Sequence, residues 1–153
     1  MLRVSRLADY ATSLMACLGE QPERVVSAGH VAECLQLEPP TVSKLLKLLA
    51  QADLVESFRG ANGGYRLARP AAEISVAEVV AAIEGPISMT ECGVAVGQCD
   101  RESTCGVRGN WQRINASVTA ALQAVSVADM MRPGHAANEI HVPVNTTART
   151  AGS

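Results

Sequence analysis

Leu7, Ala11, Leu14, Met15 and Leu18 recur at three- and four-residue steps, the spacing that lines up side chains on one face of an α-helix. Ser5 supplies a cap ahead of them and Gly19 a stop, so a first helix is predicted between these two residues. A second helix begins after Ser27 and carries His30, Val31, Ala32, Cys34 and Leu35 before Leu37-Glu38-Pro39-Pro40 forces a turn. Proline breaks a helix interior but suits the first turn, so Pro40 is expected to open a third helix. There Val42, Leu45, Leu46 and Leu49 share one face, and Thr41, Ser43, Lys44, Lys47 and Gln51 another. Two short helices joined by a tight turn, the second amphipathic and basic, have the layout of a helix-turn-helix. A helical hairpin with a solvated lysine face fits these residues equally well on their own.

The pattern then changes. Residues 54–58 read as a strand, 59–64 as a tight glycine-rich turn and 65–67 as a returning strand. A β-hairpin directly after a recognition-type helix is the wing of a winged helix, and Arg59 at its tip is placed to enter a minor groove. The turn lacks the Lys-Ser/Thr of a P-loop and the βαβ setting of a dinucleotide fold, which argues against a nucleotide cradle. A plain hairpin turn would by itself account for Gly63 and Gly64. Ser75-Val-Ala-Glu78 is a capping box and launches a helix with Val76, Val79, Val80 and Ile83 inward and Gly85-Pro86 as its stop. After a loop over 86–108, Trp111, Ile114, Val118, Leu122 and Val125 recur at helical spacing. They predict one long helix over 109–131 whose stripe packs on a twin rather than on its own domain. From Arg132 onward Pro, Gly, Asn, Thr and Ser dominate, so 132–153 is expected to be a disordered tail.

Composition narrows the class. The chain of 153 residues is 48% hydrophobic but only 3% aromatic, which points to one aliphatic core, mainly α, with an appended element. Net charge is -2, yet Lys44, Lys47, Arg59, Arg66 and Arg69 face only Asp53 and Glu56 between residues 40 and 70. Between 71 and 105 the balance reverses, with Glu73, Glu78, Glu84, Glu91, Asp100 and Glu102 against Arg101 alone. One segment is therefore suited to an anionic partner and its neighbour is not. No segment approaches the roughly 20 apolar residues of a membrane span, and the early apolar run is too short for a secretory signal. A cytoplasmic setting is expected, where an odd number of cysteines, five here, serves metal or redox chemistry rather than structural disulfides.

Cys17 and Cys34 follow apolar helix faces and read as small core residues. Cys92, Cys99 and Cys105 differ, because three soft thiolate ligands in one loop can converge on one inorganic centre. Zinc is disfavoured, since no C-x-x-C pair and no histidine lies close by, while a metal-free thiol switch stays open. Asp9 sits about 200° around the helix from Leu7 and points away from the apolar stripe, as a solvated charge would. An enzyme is not expected: a thiol catalyst needs a base beside its nucleophile, and His30, His135 and His141 form no such pattern.

With these residues placed, the chain over about residues 1–131 resembles the iron-sulfur winged-helix transcription regulators, the family that includes IscR and NsrR. The resemblance rests on Leu54-Val55-Glu-Ser-Phe-Arg59-Gly-Ala-Asn-Gly63-Gly64-Tyr65-Arg-Leu67, then Ile74-Ser-Val-Ala-Glu78-Val-Val, then three cysteines before a Trp-bearing helix. The pattern is most similar to regulators of SUF iron-sulfur assembly genes. It implies a homodimeric DNA-binding repressor that reads a double-stranded operator, does not engage a membrane, and senses iron-sulfur status through a [2Fe-2S] or [4Fe-4S] cluster. Response to nitric oxide or redox stress is the alternative within the family. Carried over residue by residue, the resemblance implies Cys92, Cys99 and Cys105 as cluster ligands. Arg108 stands where one branch has a histidine ligand, and Asp9 matches the carboxylate that another branch supplies from the partner subunit. Thr41, Ser43, Lys44 and Lys47 are then expected to face the major groove or its phosphates, and Arg59, Asn62, Gly63 and Gly64 to form the wing contact. The implied division is a winged helix over 1–85, a cluster loop over 86–108, a dimerisation helix over 109–131 and the tail.

Overall fold

The computed structural model describes residues 3–94, 97, 99–101 and 103–132; the expected tail beyond Arg132 lies outside them. Ser5 Oγ accepts a hydrogen bond from Ala8 N at 3.1 Å and starts helix α1, Arg6–Gly19. Ser27 Oγ does the same for His30 N at 3.2 Å and starts α2, Ala28–Leu35. Gln36 adopts the left-handed conformation at φ 53° and turns the chain into α3, Pro39–Gln51. Both prolines sit in the first turn of α3, so the helix opens one residue earlier than Pro40. Asp53, at φ 57°, then leads into the hairpin of β1, Val55–Phe58, and β2, Gly64–Leu67. The strands are antiparallel in the register Val55↔Leu67 to Phe58↔Gly64.

The core is aliphatic throughout. Leu14, Met15 and Leu18 of α1 pack with Val31, Val42, Leu45, Leu46, Leu49, Leu54 and Ile74, all essentially without exposure. Each such burial contributes roughly 1.5–3 kcal/mol. A single 3-10 turn, Ala71–Glu73, precedes α4, Val76–Glu84. The capping box of α4 forms as expected, with Ser75 N donating to Glu78 Oε2 at 2.8 Å and Glu78 N to Ser75 Oγ at 3.2 Å. Arg69 Nη2 meets the other Glu78 oxygen at 2.7 Å. The Ser75 backbone N–H foremost, then Arg69, hold the Glu78 carboxyl below the ordinary glutamate range. Ile83, expected inside, is only partly buried.

The largest difference from expectation lies after the loop. A short helix α5, Glu91–Val94, interrupts 86–108, and the helix expected over 109–131 is two: α6, Arg108–Gln123, and α7, Val127–Met130. Ser126 and Asp129 make a second capping box, a sequence signature of the same kind as Ser75 and Glu78. Val125, the last member of the apolar stripe, instead offers its carbonyl to Val76 N at 2.8 Å, while Val127 N donates to Ile74 O at 2.8 Å. Ser75 and Ser126 are thereby paired in a short antiparallel bridge, and Val127 enters the core with no exposure. Leu122 and Val125 pack with Ala8, Val76 and Val80, so the end of α6 does return to its own domain. Its beginning does not: Val107, Trp111 and Ile114 are 53%, 38% and 44% exposed.

Candidate nucleic-acid interface and cysteine loop

Because α3 turns Val42, Leu45, Leu46 and Leu49 inward, Ser43, Lys44 and Lys47 are left exposed on the opposite face. Thr41 is half-buried in the first turn, a less open position than the sequence implied. Arg59 and Asn62 are exposed at the hairpin tip. The basic excess between 40 and 70 is smaller in space than in sequence. Arg66 pairs across the strands with Glu56 at 2.9 Å and lies 5.0 Å from the Phe58 ring centre, and Arg69 is held by Glu78. Lys44, Lys47 and Arg59 make no ion pair among the described residues, so these three carry the positive potential of the face.

The tip glycines are structural parts of this surface. Gly60 has φ 106°, a backbone conformation that glycine adopts without strain. A Cβ on Gly63 would stand 2.5 Å from Phe58 O, and one on Gly64 would run into the Val26 carbonyl. The second approach is close because Val26 and Tyr65 exchange backbone hydrogen bonds, both 2.8 Å, pinning the chain before α2 against the wing. That pairing creates an open groove of about 340 Å³ between the start of α2 and the wing, bordered by Arg24, Ser27, His30 and Asn62. Arg24 and His30 did not stand out in the sequence, since only the long-range Val26–Tyr65 pairing brings them beside the hairpin.

The cysteine loop is fastened to α6. Met89 N donates to Asn115 Oδ1 at 3.2 Å, Ser88 Oγ to Thr90 O at 2.6 Å, and Gly93 N to Thr90 O at 2.9 Å. Asn115 is a positioning residue that the apolar periodicity of α6 concealed. Cys92 lies in α5, with its side chain outside the described set; Cys99 and Cys105 are half-buried free thiols. Cys105 O accepts from Arg108 N at 3.4 Å, so the last cysteine borders the first turn of α6. Asp9 is exposed on α1, flanked in sequence by the fully buried Ala8. Among the described residues no three His, Cys, Asp or Glu side chains gather into a metal-holding group. The donor chemistry nonetheless fits iron-sulfur ligation: two uncommitted, partly buried thiols stand in a loop that carries a third cysteine. Cys17 and Cys34 depart from expectation. Cys17 is half-buried and Cys34 exposed, and their sulfurs are 3.4 Å apart.

Comparisons with known proteins agree with this architecture. A family model described as "Iron-dependent Transcriptional regulator" matches residues 4–133. The regulator IscR of Cereibacter sphaeroides is 29% identical over 129 residues, covering 83% of each chain. Among solved structures, T. potens IscR superposes at TM-score 0.65 with 29% identity, covering 85% of this chain and 86% of its own. CymR, the global cysteine regulator of B. subtilis, also superposes at 0.65, with 27% identity over 86% of this chain and 97% of its own. No helix among the described residues is long and apolar enough to cross a membrane. A mainly helical fold with a two-stranded hairpin, an exposed basic face on α3 and a family match across residues 4–133 lead to one assignment: this chain belongs to the Rrf2 family of transcriptional regulators.

Proposed function

We propose that this regulator is a homodimeric, operator-binding repressor of iron-sulfur assembly genes, and that an iron-sulfur cluster sets its affinity for DNA. The observation that carries the reading is the loop itself: Cys99 and Cys105 are free, half-buried thiols, and the second abuts the helix that leads back to the core. Cys92, Cys99 and Cys105 would hold the cluster, with Asp9 of the partner subunit as fourth ligand. When bound, the cluster supplies a soft, oxidisable iron centre whose oxygen-ligated corner exchanges more readily than its thiolate corners.

The chain's own residues do the rest. Asn115 ties the loop to α6 through Met89, and the Ser88–Thr90 turn shapes the loop at that point, so ordering of the loop is felt along that helix. The exposed start of α6 forms the dimer contact, which sets the spacing of the two α3 helices. Ser43, Lys44 and Lys47, with Thr41 at the margin, face the major groove or its phosphates; Arg59 and Asn62 reach the adjacent groove from a wing shaped by Gly63 and Gly64. Arg24 and His30 extend the polar edge of that surface. Linkage is reciprocal, so operator DNA changes cluster retention as much as the cluster changes DNA affinity.

Iron and sulfide counting on anaerobically purified protein, followed by operator titration of holo and apo forms, tests the reading. The expected result is a coloured protein with matched iron and sulfide and operator affinities that differ between the two forms. Asp9→Ala should leave a cluster that is lost faster, and an unchanged cluster of unchanged stability would remove Asp9 from the ligand set. The equal likeness to a cysteine regulator supports a second reading, a cluster-free thiol switch acting on DNA. A colourless protein free of iron, with operator binding that follows thiol oxidation, would establish that reading instead.

A further inference from the structure

The Cys17–Cys34 pair lies outside the cysteine loop and has no part in the cluster reading. Cys17 stands two residues before the end of α1, and Cys34 one residue before the end of α2. Their Sγ atoms are 3.4 Å apart. A disulfide needs about 2.05 Å, so a closure of roughly 1.4 Å completes the bond, within reach of side-chain rotation at two helix ends. We infer that Cys17 and Cys34 form a redox modification site, a dithiol that hydrogen peroxide closes into a reversible intrachain disulfide linking α1 to α2.

The two thiols are unequal in a way that orders the reaction. Cys34 is exposed and admits the oxidant, whereas Cys17 is half-buried. Burial first, then the neighbouring Cys34, push the Cys17 thiol up to about 12, so it stays protonated at neutral pH and is not the entry point. The Cys34 thiolate attacks one peroxide oxygen, the O–O bond breaks, and the departing hydroxide takes up a proton to leave as water. This leaves a sulfenic acid on Cys34. Cys17 Sγ then attacks Cys34 Sγ, the S–O bond breaks, and the hydroxide leaves as a second water with the Cys17 proton. Two electrons pass from the sulfur pair to the peroxide, and an external thiol returns them.

The position gives the bond a mechanical consequence. Cys34 is two residues before Gln36, whose left-handed backbone sets the angle at which α3 leaves α2. A bond at Cys34 fixes that turn against α1. The sequence also supplies a direct readout, because Arg24 lies between the cysteines: trypsin separates Cys17, in 7–24, from Cys34, in 25–44. After brief treatment of the full chain with hydrogen peroxide, mass spectrometry without reductant should show these peptides joined and lighter by two hydrogens. Dithiothreitol should separate them, and neither Cys17→Ser nor Cys34→Ser should yield the link. Amide exchange at residues 35–38 should slow in the oxidised form. The Cys92→Ser/Cys99→Ser/Cys105→Ser variant should still form the link, so the inference stands or falls apart from the cluster reading. Over-oxidation of Cys34 without a link to Cys17, or its pairing with a loop cysteine, would overturn it.

Discussion

Glu78 shows how one side chain can close several local requirements at once. Its carboxylate takes the Ser75 backbone N–H and the Arg69 guanidinium, and its own N–H is taken by the Ser75 hydroxyl. The carboxyl is therefore favoured in its charged form when folded, below the ordinary value of 4.5. The sign follows: the stabilisation is fully present above the unfolded pKa and fades as pH falls through the lowered folded value. The side chain is 42% exposed, so the effect is modest, on the order of 1 kcal/mol or less. Urea midpoints for Glu78→Gln and the parent should differ at pH 7 and converge as pH falls below the ordinary glutamate range. A gap that stays constant with pH would show that charge plays no part. This residue was legible in the sequence because Ser and Glu three apart follow local rules. Cys17 and Cys34 were not, because they lie 17 positions apart and each matched the apolar pattern of its own helix.

At the level of elements, α3 and the hairpin followed from local patterning, and their relation to each other did not. The 3.6-residue period of Val42, Leu45, Leu46 and Leu49 fixed which face of α3 is buried, and so which face carries Lys44 and Lys47. Two of the five nearby cations are nonetheless taken up in surface ion pairs, Arg66 with Glu56 and Arg69 with Glu78, which counting charges along the chain does not show. Lys47 is the sharper test of the remaining three. Lys47→Ala should weaken binding to all DNA sequences alike and flatten the log–log salt slope by about one per protomer. An unchanged slope in a filter-binding or anisotropy titration would take Lys47 off the phosphate-contact list. The break between α6 and α7 escaped the periodicity for a related reason. Val125 fits a helical stripe in sequence, but its carbonyl is taken by Val76, and Ser126 starts a new helix.

For the whole molecule, the apolar surface at the start of α6 is the feature most at odds with a solitary chain. Trp111 and Ile114 stand exposed while Leu122, two to three turns on, packs on α4. A charge at the exposed end should separate a dimer without harming the monomer's core. Sedimentation equilibrium of apo Ile114→Arg should give the 16.0 kDa chain mass where the parent gives twice that value, with far-ultraviolet circular dichroism unchanged. A parent already at the single-chain mass would sink the proposed dimer. The backbone pairing of Ser75 with Ser126 adds a consequence of another kind. While α4 itself packs into the core, the chain beyond it leaves and is brought back by this pairing beside the point where α4 began, like a handle with both feet bolted side by side. The part of the handle that carries Cys99 and Cys105 can be lengthened, shortened or rewritten while its feet, and the winged-helix core they stand on, keep their places. A body of this design can keep its shape while the handle changes, in keeping with one fold shared by this chain, T. potens IscR and the global cysteine regulator CymR.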